Sequence, residues 1–390
     1  MKKKILFLHD TFPAGGAERI TIDIANYITT FGYEVYVSAR TLNVCENKSI
    51  QVIELPDKKT IDSHINIDFL TRTVKELHID IFVLVVLQLV ELFEEIHTKT
   101  GCKLVFSLHS IPLWEITHHL YEKKNKSRGS IGKMLEWHLL TYPKTMWLRK
   151  YDKPMINTYD RIYQLADAYT VLCDEYKREY LRKWAPSQDK IDVIYNTERV
   201  VETVNLDKKK QVMFAGRLTY ADKRIDKLLK IWKRVYKKAE EWELIIVGDG
   251  PEREHLERYV NRKRIERIKF AGYTNDVQSY YNDASILCLT SVYEGWPLCL
   301  SEAQANGVIP VAFDCTAGVR EMLSPSEVNG FLIPPFKLGR YAKTLLALIK
   351  DTEKQNAMRP GLIAKAAQYS PDIVGENWLN LFDSLLKDEK

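Results

Sequence analysis

The feature that most constrains this chain is an alternation that runs twice. Short, continuous apolar runs take turns with segments of helical period. "ILFLHD" is followed by "AERITIDIANYITTFG", in which Ile20, Ile24, Tyr27 and Ile28 recur at helical spacing. Then come "YEVYVSAR", "IQVIEL", "DIFVLVVL", "KLVFSLHS", "AYTVLC" and "IDVIYN". After the basic "LDKKKQ" near residue 208 the pattern restarts with "QVMFAGRL", "WELIIVGDG", "RIKFAG", "SILCLTS" and "IPVAFD". A strand that is apolar along its whole length is buried on both faces, and intervening helices supply the crossovers of a parallel sheet. The expectation is an α/β chain of two doubly wound, Rossmann-like domains, with a linker between roughly Asn196 and Lys210. At 390 residues the chain is also too long for one ordinary core. Ligands of such sheets sit beyond the carboxyl ends of the strands, so a central cleft faced by both domains is the expected site.

Composition narrows the class. Apolar residues make up 45% and charged residues 28%, as in a globular chain. A net charge of +5 over this length does not suggest a nucleic-acid binder. "MKKKILFLHDTFPAGG" imitates a signal peptide, but the apolar run Ile5 to Leu8 is too short before His9 and Asp10, and it reads as a first strand. The run from Ile81 to Val90 is too short to cross a bilayer. Six cysteines show no paired spacing, and Cys173, Cys288 and Cys299 read as core thiols. A cytoplasmic protein is expected.

Residues 112–155 break the alternation. From Leu120 to Pro154 there are nine Lys/Arg against three Asp/Glu, a net of +6 that exceeds the whole chain's excess. The same stretch carries Tyr121, Trp137, Tyr142, Trp147 and Tyr151. Such an insertion suits an anionic membrane surface, with peripheral contact at the inner face through 120–154, or a phosphorylated lipid acceptor, or else a solvated helical hairpin. Lys123, Lys124, Lys126 and Arg128 are its densest positive group.

The exits of the later strands hold the chemistry. "FAGRL" ends a strand with Gly216 and Arg217, and Lys223 follows six residues later, beside Arg224. "VGDGPE" places Gly248 and Gly250 at a second exit, and "TSVYEGWPL" is a third. Pro297 suits the first position of a helix, whose N-terminus offers unpaired N–H groups and about half a positive charge. Gly295 allows close approach of a ligand to the backbone. These parts describe an anion site, with Arg217 and Lys223 as full charges. Yet Glu294 and Glu302 flank the same segment. Two carboxylates beside a diphosphate must face something neutral and rich in hydroxyls, as a carboxylate binds a ribose diol. A nucleotide-diphosphate sugar satisfies both demands.

At these residues the chain resembles the retaining GT-B glycosyltransferases of family 4, the "glycosyl transferases group 1" type. The family signature is Glu, seven residues, Glu, an Ala and a Gly-x-Pro strand, here Glu294, Glu302, Ala303 and "GVIPVAF". "GRL" with a downstream Lys, "VGDGP", "NGFLIP" and the opening "GGAERI" also match. The resemblance implies a GT-B fold. Residues 1–200 form an acceptor-side N-terminal domain carrying the insertion 112–155, and residues 201–370 hold the nucleotide sugar. Residues 371–390 form a helix crossing back to the first domain, with Trp378, Leu379, Leu381, Phe382 and Leu385 as its buried face. By residue, it implies that Glu302 binds the donor ribose and Glu294 the transferred sugar. The backbone at Gly295, Trp296, Pro297 and Leu298 touches the phosphates, and Arg217 with Lys223 or Arg224 stabilises the leaving diphosphate. Gly216 and Gly248 shape the donor loop, Tyr273 is a candidate base neighbour, His109 faces the donor sugar, and Gly15 and Gly16 admit its phosphate. Retention by front-face attack follows from the same resemblance.

This sequence departs from the family pattern in three places. Lys223 follows Arg217 by six residues instead of five, Pro297 stands where Gly is common, and "DCTAGVRE" matches loosely with Gly318 as its loop glycine. No Asp-x-Asp is present, so no metal and no cofactor are expected beyond the donor. The acceptor is expected to be a saccharide or lipid-linked saccharide in surface polysaccharide synthesis. The alternatives are a nucleotide-sugar epimerase, which needs no acceptor, and a non-catalytic carbohydrate-binding relative. A dinucleotide oxidoreductase ranks below them, since no Gly-x-Gly-x-x-Gly is complete.

Overall fold

The structure, a computed structural model, describes residues 2–85, 88–150, 152–184 and 189–387. Val86, Leu87 and Tyr151 lie outside the described residues. Each apolar run named above contains a strand. β1 (Lys4–Phe12), β2 (Glu34–Leu42), β3 (Ile50–Glu54), β4 (Ile81–Val85), β5 (Lys103–Ser107), β6 (Ala168–Val171) and β7 (Ile191–Val193) form one sheet, in the order β3-β2-β1-β4-β5-β6-β7. β8 (Gln211–Ala215), β9 (Glu243–Val247), β10 (Ile268–Gly272), β11 (Ile286–Leu289), β12 (Ile309–Phe313) and β13 (Phe331–Ile333) form the other, in the order β10-β9-β8-β11-β12-β13. β13, inside "NGFLIP", was not foreseen as a strand; three residues are too few to show a period. All named strand pairs are parallel.

The side chains explain the order. β4 (IFVLV) and β12 (IPVAF) are buried at every position and lie inside their sheets. β3 exposes Gln51, Val52 and Glu54 and lies at an edge. In each sheet the winding reverses direction once, between β1 and β4 and between β8 and β11. Doubly wound sheets bind ligands outside the strand ends at that reversal, because the loops there diverge and leave a crevice.

The chain folds as two compact units. The first comprises Met1–Leu113, Tyr151–Thr197 and Ser370–Lys390; the second comprises Trp114–Lys150 and Glu198–Tyr369. The terminal Pro371–Lys387 helix therefore belongs with the first sheet. Gly375 meets the Tyr27 ring of the Gly16–Thr29 helix, where an added Cβ would lie 2.4 Å from Tyr27 Cγ. Tyr33 donates to Asp383 at 2.6 Å. Val374, Trp378, Leu381 and Phe382 are buried. Leu379 and Leu385, expected on the same face, are only partly buried.

The insertion, expected in the first domain, is instead grouped over Trp114–Lys150 with the second sheet. The reason is side-chain pairing across long sequence separations. Arg128 donates to both Glu252 carboxylate oxygens at 2.7 Å. The Tyr220 ring is held between the Arg128 and Arg224 guanidinium groups, 4.0 and 4.2 Å from its centre. Tyr293 and His118 share a hydrogen bond of 2.8 Å. No helix among the described residues is long and apolar enough to cross a membrane.

Candidate active site

In the second unit the winding reverses between β8 and β11, and the loops leaving these two strands carry the residues singled out above. The β8 exit is built by backbone crossing backbone. Gly216 N–H donates to Val247 O at 3.0 Å, and Gly248 N–H donates to Gly272 O at 2.7 Å. Gly248 has φ +127, and a Cβ there would stand 2.0 Å from Gly216 O. Gly248 is therefore required by the close approach of the strand exits, and Gly216 by its φ of +145, whatever they do for a ligand.

Lys223 and Glu294 meet across the two loops. Lys223 Nζ lies 2.7 Å from Glu294 Oε1, with both side chains largely buried. Ser291 Oγ donates to the same oxygen at 2.5 Å. Thr316 Oγ1 donates to the Glu294 backbone carbonyl at 2.7 Å. Burial pulls the Lys223 pKa down, but the attraction of Glu294 outweighs it and leaves the ammonium raised to about 12. Arg224, the competing candidate, is committed elsewhere: its guanidinium donates to Asp226 at 2.9 Å and lies over Tyr220. Arg217 is 79% exposed, with Asp222 at 3.9 Å.

Glu302 lies on the Leu298–Ala305 helix. Its Oε2 accepts from Tyr281 OH at 2.8 Å. Tyr281 is buried, and burial together with the Glu302 charge pushes its phenol well above the ordinary range, so it remains a donor. The next helical residue back, Ser301, donates to the buried Glu198 at 2.6 Å. Pro297 was expected at the first helical position and instead stands just before it, with φ −74 and ψ 101. An extended ψ there turns the chain into the helix. The Trp296 side chain is buried edge-on against Tyr369, 5.1 Å between centres, which leaves the backbone as the part of Trp296 fit for a ligand. Tyr273 is exposed, with its hydroxyl 2.8 Å from Asn275. Gly318, expected in a loop, is buried inside the Ala317–Leu323 helix. Cys288 is buried, as expected of a core thiol, while Cys299 is only partly buried. Burial nonetheless pushes the Cys299 and Cys315 thiols up to about 12, which removes them as nucleophiles at neutral pH.

In the first unit, Gly15 precedes the Gly16–Thr29 helix in an extended conformation. Its N–H donates to Glu18 Oε2 at 2.8 Å. Burial would raise the Glu18 pKa, yet His9 and the helix N-terminus hold it below the usual carboxylate range. His109, beyond β5, is held at both ring nitrogens. Nδ1 donates to Asn196 Oδ1 at 2.7 Å, and Nε2 accepts from Ser107 Oγ at 3.0 Å. Thr170 donates in turn to Ser107 at 2.8 Å. Burial lowers the imidazole to about 4, so it is neutral at physiological pH. Gly16 opens the helix that follows Gly15.

Eight further residues take part in these networks: Glu18, Ser107, Thr170, Asn196, Glu198, Tyr281, Ser291 and Thr316. None of these pairings carried a sequence signal: Gly15 has no side chain to cap the helix, and only the hydrogen bond from its N–H to Glu18 is made. Among the described residues no group of three or more His, Cys, Asp or Glu is placed to hold a metal ion.

Residues 196–361 match the family "Glycosyl transferases group 1", and residues 14–197 match "Glycosyltransferase Family 4". An uncharacterized glycosyltransferase of Haemophilus influenzae is 29% identical over 392 residues, covering 97% of this chain and 99% of that protein. A lipopolysaccharide 1,6-galactosyltransferase of Salmonella typhimurium is 29% identical over 211 residues, covering 51% of this chain and 57% of its own. In fold, the crystal structure of Anabaena HepE in complex with UDP-glucose superposes with a TM-score of 0.74 at 20% identity, covering 98% of this chain and 99% of that one.

Proposed function

This chain belongs to the family-4 glycosyltransferases of the GT-B fold, and we propose that it moves a sugar, with retention, from a nucleoside-diphosphate sugar to a saccharide or lipid-linked saccharide of a surface polysaccharide. The observation that carries this is the arrangement at the β8–β11 reversal. A buried ammonium and a carboxylate, Lys223 and Glu294, stand at one end of "EGWPLCLSE", and a second carboxylate, Glu302, braced by Tyr281, stands at the other.

In this proposal Glu302 accepts hydrogen bonds from the donor ribose, and Glu294 accepts them from hydroxyls of the transferred sugar. The main chain from Gly295 to Leu298 and the helix N-terminus receive the diphosphate. Arg217 and Lys223 balance the charge that grows on it as the C1–O bond breaks. The acceptor oxygen attacks C1 from the same face, and its proton passes to the departing phosphate. No carboxylate is assigned as a covalent nucleophile, and the diphosphate's charge is assigned to Arg217, Lys223 and the helix rather than to a metal. In the first unit, both His109 ring nitrogens and the Gly15 N–H are already hydrogen-bonded, to Asn196, Ser107 and Glu18, so the donor contacts are assigned to the second unit. Uridine diphosphate is the first nucleotide to try, since HepE binds UDP-glucose, and the Salmonella relative's lipopolysaccharide role favours a saccharide acceptor.

The test is a thermal-shift panel of UDP-, GDP-, ADP- and CMP-sugars on the wild type and Glu302→Ala. A donor at about 100 times its dissociation constant stabilises by about 2.7 kcal/mol. A shift with one base, lost in Glu302→Ala, supports the proposal. No shift with any donor removes its main support. Product that forms only when an acceptor is added separates transfer from epimerisation.

A further inference from the structure

The insertion carries a surface that donor chemistry does not use. Of the eighteen large hydrophobic side chains exposed among the described residues, eight fall between Ile131 and Leu148. Leu139, Leu140, Trp147 and Leu148 are each more than 60% exposed, at 69%, 63%, 74% and 76%. The Ile131–Glu136 helix has no buried residue at all. A solvated helical hairpin has no physical reason to show this many apolar groups to water, and a concentration of this kind marks an interaction surface.

The ridge is anchored at its base. Trp137, between the helices Ile131–Glu136 and Tyr142–Met146, is buried; its Nε1 donates to Leu120 O at 3.1 Å, and Lys124 sits over its ring at 4.3 Å. The exposed groups are therefore held on a fixed root. Their charged neighbours decide the occupant. Lys133, Lys144, Arg149 and Lys150 are exposed on the same stretch, against the single acid Glu136. Apolar side chains and a Trp interleaved with long cations match the boundary of an anionic bilayer, where acyl chains take the former and headgroups the latter.

We propose that Ile131–Lys150 is a membrane-docking ridge that inserts Leu139, Leu140, Trp147 and Leu148 into the headgroup boundary of an anionic bilayer. This moves the contact away from the basic group that stands out in the sequence. Arg128 is bound to Glu252 and Tyr220, and Lys124 is half-buried over Trp137, with burial and then Arg224 bringing its ammonium down to about 8. Arg128 thus holds the insertion onto its own unit, and Lys124 packs within the insertion, over Tyr121 and Trp137.

The full chain is sedimented with vesicles of equimolar phosphatidylglycerol and phosphatidylcholine, and with phosphatidylcholine alone. The wild type is expected to bind the anionic vesicles, less so at high salt. Leu139→Glu with Leu140→Glu is expected to weaken binding by at least about tenfold, and Lys144→Glu with Lys150→Glu to weaken it by a similar factor on anionic vesicles only. Lys123→Glu with Lys126→Glu is expected to stay within about threefold of the wild type. All of these substitutions are at exposed positions, and unchanged melting curves check the fold. Failure of the wild type to bind, or full binding by the Leu139/Leu140 variant, overturns the proposal. So does a wild-type dimer, seen by sedimentation without vesicle binding, that the same variant dissociates; the ridge would then belong to a second copy. No turnover enters the readout, so this result is independent of the proposed transfer.

Discussion

Lys223 and Glu294 form a 2.7 Å ion pair across the β8–β11 reversal, with side-chain exposures of 16% and 12%. The pair joins two loops seventy-one positions apart in sequence. Each partner is the other's compensation for leaving water, and removing one strands a buried charge. Lys223→Ala and Glu294→Ala are each expected to cost about 3 kcal/mol of stability. The double variant is expected to cost about 1–3 kcal/mol less than their sum. Urea unfolding of the four proteins measures this, and strict additivity would show that the pair is not coupled.

The pair also has a pH signature. Lys223 has a folded-state pKa raised to about 12, so its contribution is fully present below the unfolded lysine value and is lost only as pH rises through 12. Between pH 6 and 9 the coupling energy is therefore expected to stay constant.

His109 behaves in the opposite sense. Its pKa falls to about 4 in the folded protein, against about 6.5 unfolded. Between these values the unfolded chain binds the extra proton, so the stability that neutral His109 provides is present above pH 6.5 and lost as pH falls toward 4. His109→Gln is expected to flatten part of the wild-type stability decline across that window, read by unfolding at successive pH values. An identical decline in both proteins would contradict the assignment. Above pH 6 the imidazole stays neutral, and no step in a rate profile there belongs to it.

Gly248 is held by a neighbour that cannot yield. A Cβ would meet the Gly216 carbonyl at 2.0 Å, and φ is +127. Gly248→Ala is expected to destabilise by at least about 3 kcal/mol. Gly101 has nothing within 4 Å of its would-be Cβ, and Gly101→Ala should stay within about 0.5 kcal/mol of the wild type. Comparable losses in the two variants would mean that the β8–β9 approach is looser than described.

Tyr281→Phe deletes the 2.8 Å hydrogen bond to Glu302 and a longer one, of 3.5 Å, to the Cys299 carbonyl. It should cost about 1 kcal/mol of stability. If Glu302 binds the donor, its KM should rise by up to about tenfold with kcat nearly unchanged. The discriminating experiment is the double variant with Glu302→Ala. Once the carboxylate is gone, Tyr281→Phe should have no further effect on KM. A further independent rise would give the tyrosine a role of its own.

The fold was largely legible because its signals are local. A pentapeptide such as IFVLV or IPVAF cannot be solvated on either face, so it must lie inside a sheet, and helices of matching period must cover it. The two carboxylates of "EGWPLCLSE", the glycines of the strand exits and Lys223 were visible as residue types at telling positions. Their partners were not. Tyr281, Ser291 and Thr316 carry no spacing that links them to Glu302 or Glu294, and nothing in the sequence paired Gly15 with Glu18.

By itself, then, the sequence determined the two parallel sheets and the residue types at their strand exits, since burial and period are properties of short stretches. Only the tertiary structure decided which charges meet. It gave Lys223 to Glu294 and Arg224 to Asp226, and through Arg128 and Glu252 it brought the basic insertion onto the second unit. It also left Leu139, Leu140, Trp147 and Leu148 in water while burying Trp137. Such choices depend on desolvation and on distance in space, and neither can be read from positions along a chain.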